Sequence, residues 1–162
     1  MNIAERHMTT GATRNVRLRR GFGWGILVVL NNPNGEVPDL KGKPFAASSS
    51  GLVIVVRHAQ DVDATVLDPL ASNDYVPEAQ VAVHVLVASH GLESADYQSV
   101  LSVTDGNLDI GDADRWDSLH LPVGSWQAQV TASPADAPDH IEIVLSPAHP
   151  EAHTALDARE SR

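Results

Sequence analysis

Apolar residues recur at every second position in short runs along this chain, with polar residues filling the gaps. Tyr97, Ser99, Leu101 and Val103 alternate with Gln98, Val100 and Ser102. Trp126, Ala128 and Val130 alternate with Gln127, Gln129 and Thr131, and Ile141, Ile143 and Leu145 with Glu142, Val144 and Ser146. Period two over short runs marks half-buried strands, so 97–145 predicts three or four strands joined by acidic, Gly- and Pro-punctuated turns. Leu108 and Ile110 fit the core side of one of them, which would turn Asp109 to solvent.

Upstream, Val16 and Leu18 alternate with Arg17 and Arg19, and Ile26 to Leu30 forms an apolar, β-branched run. A short edge strand is expected from Phe45, a central one from the run beginning at Gly51, and another short one over 61–68. In 79–88, Val81, Val83, Val85 and Val87 share one face, and Gln80, Ala82, His84, Leu86 and Ala88 the other. Both faces are mostly apolar, so this strand is expected to be covered on both sides or nearly so. No amphipathic helix longer than about ten residues is evident. The expected fold is all-β: a single-domain antiparallel β-sandwich of about 8–9 strands with little or no helix. Residues 14–148 form that domain, after a disordered segment 1–13 and before a flexible tail 149–162.

Composition adjusts this picture in one respect. The chain has 162 residues and a formal net charge of −10, but the charge is unevenly placed. Eight of the eleven Lys and Arg residues lie at or before Arg57, whereas 58–158 hold Arg115 alone against 17 acids. An acidic body repels phosphate backbones, which argues against nucleic-acid binding there and favours a basic partner. No apolar run approaches the roughly 20 residues of a membrane-spanning helix. The first 20 residues lack the apolar middle of a signal peptide, and the chain has no Cys, so a cytoplasmic protein is expected.

Four patterns bear on chemistry. The strand ending in Arg57-His58-Ala59, followed by Ser89-His90-Gly91, resembles the two motifs of histidine phosphatases; the resemblance implies His58 as nucleophile, with Arg57 and His90 on the phosphoryl group. Against it, Ala59 replaces the family's Gly, the motifs are only 32 residues apart, and no Arg or Lys lies between them. Asp105, Asn107 and Asp109 have the spacing of the first ligands of an EF-hand, and Asp112, Asp114 and Asp117 offer a separate, looser site. The required Gly is displaced to Gly111, and position twelve is Trp116, which cannot ligate, so an acidic hairpin that solubilises an edge is the simpler reading. His58, His84, His90, His120 and His140 share no metal-binding spacing, although His58 and His84 could meet across strands. Gly21-Phe-Gly-Trp-Gly25 precedes a strand rather than a helix, so it is not a phosphate cradle. No cofactor is expected.

Four segments carry a family resemblance: Val81-Ala-Val-His-Val, Asn107-Leu-Asp-Ile-Gly, Leu119-His-Leu-Pro-Val-Gly-Ser-Trp-Gln-Ala-Gln-Val130 and His140-Ile-Glu-Ile-Val-Leu. Through them, residues 79–147 resemble small bacterial β-sandwich proteins of the competence-J (ComJ) nuclease-inhibitor type and related immunity-like domains. The resemblance implies a non-enzymatic binder of a basic or nuclease partner. The residues themselves point the same way. The expected site is the acidic loops over 105–117 and 61–74, with Asp112, Asp114, Arg115, Trp116 and Asp117 as contacts and Trp116 as anchor. A small-ligand or Ca2+-binding module and a homo-oligomeric phage- or shell-like subunit are the alternatives.

Overall fold

The computed structural model describes residues 15–62 and 78–148. They form ten strands and no helix: β1 Asn15–Arg20, β2 Ile26–Leu30, β3 Phe45–Ser48, β4 Gly51–Val55, β5 Val81–Val87, β6 Tyr97–Val103, β7 Asn107–Gly111, β8 Trp116–His120, β9 Gly124–Ser133 and β10 His140–Pro147. One five-stranded sheet has the order β1-β5-β10-β9-β6, and the other β3-β4-β2-β7-β8.

The alternation seen in the sequence decides what lies between the sheets. Val81, Val83 and Val85 of β5, Ile141, Ile143 and Leu145 of β10, and Trp126, Ala128 and Val130 of β9 come from the first sheet. Leu27 and Val29 of β2, Leu52 and Ile54 of β4, and Leu108 and Ile110 of β7 come from the second. These side chains belong to one buried cluster, the interleaved core of a sandwich. Phe22, in the turn between β1 and β2, is fully buried in the same cluster.

The two long edges are each tied across the sheets. At one, Phe45 of β3 stacks on Tyr97 of β6 with ring centroids 4.8 Å apart, and the Ser102 amide donates to the Ser49 carbonyl at 2.8 Å. At the other, Arg20 at the end of β1 reaches Asp112 in the β7–β8 turn at 3.2 Å.

Three expectations need correction. The region from Tyr97 onward holds five strands, because the acidic stretch is itself a paired hairpin, β7–β8. The sandwich is not wholly antiparallel: β5 and β10 run parallel, His140 opposite Ala82 and Leu145 opposite Val87. A parallel pair needs a long crossover, and here β6 to β9 supply it by passing through the other sheet. The outer face of β5 is only partly covered, since Ala82, His84 and Leu86 remain partly exposed. Asp61 and Val62 lie outside any strand, and the rest of the expected 61–68 strand, with both terminal segments, falls outside the described residues.

Candidate functional site

The acidic hairpin does not present its residues as one patch. Gly111 and Trp116 are opposite each other across β7 and β8, as are Ile110 and Asp117. Side chains in directly opposed pairs share a face, and successive residues alternate. Ile110 belongs to the core, so Asp117 takes the inner side of an edge strand and Trp116 the outer face of the second sheet. There Trp116 is half-buried against a second apolar cluster of Val28, Leu30 and Val53.

Asp112 is fully buried, so it is a structural residue rather than an exposed contact. Its Oδ1 accepts from both terminal nitrogens of Arg20 at 3.2 Å, and from the amides of Asp114 at 3.2 Å and Arg115 at 3.3 Å. Arg20 also donates to the Arg115 carbonyl at 2.9 Å and lies over the Phe22 ring, 4.3 Å from its centroid. One carboxylate oxygen thus shapes the turn and fastens it to the first sheet. The close approach needs Gly111: a Cβ there would lie 2.0 Å from the Arg115 carbonyl oxygen.

The consequence is a junction of two turns at one end of the sandwich. The β7–β8 turn exposes Asp114 and Arg115. The β1–β2 turn abuts it, so that a Cβ on Gly23 would sit 3.6 Å from Asp114 Oδ2. The next residue, Trp24, is 63% exposed. Its turn is closed by the Gly25 amide donating to the Phe22 carbonyl at 3.1 Å, with Gly25 at φ 65°, a conformation that favours glycine. Sequence reasoning chose Trp116 for its charged neighbours and passed over Trp24. The available signal was the setting of Trp24 between two glycines, which give an aromatic ring nothing to pack against.

The other sequence candidates separate. Asp105 accepts from the Asn107 amide at 3.2 Å in a local turn, and Asn107 Oδ1 meets His120 Nδ1 at 2.8 Å. Asp109 points away from the core, as expected, yet is buried rather than solvated and accepts a hydrogen bond from the Ser118 hydroxyl. No group of three or more His, Cys, Asp or Glu placed to hold a metal occurs among the described residues.

The two histidine motifs lie beyond opposite ends of β5. The Ala79 amide donates to the Ala59 carbonyl just before that strand, whereas His90 follows its last residue. Seven residues of strand hold them roughly 20 Å apart, too far to clamp one phosphoryl group. His84 is apart from both: mid-strand on the outer face, opposite Arg17 on β1 and Glu142 on β10. His140 is one step away on the same face, opposite Ala82.

No protein-family model matches the chain, and no curated protein matches it. Among solved structures it is similar to ComJ, inhibitor of the DNA degrading activity of NucA, from Bacillus subtilis, with a TM-score of 0.49 and 12% identity over 82% of this chain and 96% of that one. It is also similar to the solved structure of crocagin biosynthetic gene J, with a TM-score of 0.47 and 12% identity over 84% of this chain and 97% of that one. Both likenesses span most of this chain, and nothing about its fold, activity or partner rests on them.

Proposed function

We propose that this protein is a non-catalytic binding module that docks a basic protein through the end of the sandwich bearing Trp24 and the β7–β8 turn. The observation that carries this reading is the exposed Trp24 on a turn held in place from behind. A large aromatic fixed in position loses little entropy on binding, and such residues dominate interface energetics. Asp114 stands beside the turn and the chain as a whole carries a net charge of −10, which favours a positively charged complementary surface. The sharpest form of the proposal is an inhibitor or immunity-like protein against a nuclease, whose substrate-binding cleft is basic because its substrate is a polyanion. We place this activity in the cytoplasm, in keeping with a chain that has no Cys.

The test is capture from the native host's lysate at low and high salt, with wild type and Trp24→Ala run side by side. A basic protein held at low salt, released at high salt and lost with Trp24→Ala is the expected result. Adding the pure module to that partner should then suppress any nuclease activity it has. Capture that ignores both salt and Trp24→Ala would overturn the proposal.

A further inference from the structure

The outer face of the first sheet carries a feature of the opposite charge. Three cross-strand rows can be traced there. Arg19, Ala82, His140 and Ser133 form one; Arg17, His84, Glu142 and Thr131 the next; Asn15, Leu86, Val144 and Gln129 the third. In the first row the small Ala82 stands between two long side chains, and the second row places Arg17 and His84 alongside. The result is a dent over Ala82 with a volume of about 420 Å3, ringed by Arg17, Arg19, His84 and His140. Its floor is the backbone of β1, β5 and β10 at Leu18, Val83 and Ile141, whose side chains point into the core.

Four nitrogen-bearing side chains from three strands thus converge on one cavity in a protein of net charge −10. Glu142 continues the row beyond His84 but does not line the cavity. His84 Nε2 is buried and has no hydrogen-bond partner among the described residues. A buried, unpaired ring nitrogen is costly, and a rotation of the His84 ring that brings Nε2 to the surface of the dent would let a ligand oxygen satisfy it.

We infer that this dent is a binding site for a small organic phosphate monoester. Its two guanidinium groups are permanently charged and geometrically suited to phosphate oxygens. Their combined charge matches the roughly −1.5 to −2 of a phosphate monoester, whereas a lone carboxylate would leave one guanidinium uncompensated. The cavity is of the size that holds small organic ligands, which begin near about 300 Å3, so the phosphate carries an organic body. The site lies on the sheet face, apart from the Trp24 turn, and does not depend on the docking role proposed above.

The test uses the full chain and phenyl phosphate as probe, followed by amide chemical shifts at constant ionic strength. The expected result is saturable change confined to residues 17–19, 82–84 and 140–141. Affinity should fall by roughly tenfold or more in Arg17→Ala/Arg19→Ala, and by a similar factor in Ala82→Leu, which fills the dent and leaves every charge in place. Both variants alter outward-facing positions, and thermal melts confirm that they fold. Unsaturable or dispersed changes, or binding unaffected by Ala82→Leu, would overturn the site. Benzoate binding as tightly as phenyl phosphate would overturn the phosphate assignment. Trp24→Ala should leave the titration unchanged, so failure here is distinguishable from failure of the docking role.

Discussion

The outer faces of the two sheets are put to opposite uses. On the second sheet, Val28, Leu30 and Val53 form an apolar cluster, and the chain packs its own Leu40, Ile26, Ala46 and Trp116 against it. On the first sheet, the loop after β5 covers Gln129 of β9, whose side chain donates to the Leu92 carbonyl at 2.9 Å and accepts from the Leu92 amide at 2.6 Å, while Gln98 and Val100 of β6 stay exposed. The half near β1 is left open, and there the basic side chains gather around Ala82. A face the protein covers itself serves stability. A face it leaves open and charged, against the sign of the whole chain, is available to something else.

That contrast can be broken from either side. Leu30→Ala should have the largest effect, a loss of about 2–4 kcal/mol in urea unfolding, because Leu30 faces outward yet is only 1% exposed; a change under about 0.5 kcal/mol would mean its cover is nominal. Asp112→Ala tests what holds the first sheet's β1 edge to the second. It leaves Arg20 without its anion and two turn amides without an acceptor, at a cost of about 3 kcal/mol, and Asp112→Asn should recover part of this by restoring the acceptor. Gln129→Ala removes both hydrogen bonds to Leu92 and should cost about 1–2 kcal/mol, with faster hydrogen exchange at the Leu92 amide as its local signature. Arg17→Ala and Trp24→Ala should change stability by no more than about 0.5 kcal/mol, since both side chains are exposed, and so act on binding alone.

Much of the strand layout was legible in the sequence. Short apolar runs and period-two alternation need only local information, and each side chain's choice between core and surface follows from the pleat. The same logic found β3 at an edge and β4 inside its sheet. It stumbled at Asp109, where alternation correctly predicted an outward side chain but not the layer that buries it. It stumbled again at Asp112, which in sequence is one more acid in an acidic hairpin and in space is the buried partner of an arginine 92 residues away. The exposure of the two tryptophans was hidden for a similar reason. Trp116 is half-buried by Val28, Leu30 and Val53 from distant strands of its own sheet, which the local sequence around it does not show.

The sequence by itself determined that this is an all-β chain with alternating strands, an acidic body and basic residues concentrated toward its start. Those properties reside in composition and periodicity, which are local and additive. Only the tertiary structure decided that β5 runs parallel to β10, that Arg20 is spent on Asp112, and that Arg17, Arg19, His84 and His140 surround one small alanine. Each of these depends on pairing and register between distant strands. A one-residue slip in either would send the same side chains to the opposite face, so no reading of local pattern reaches them.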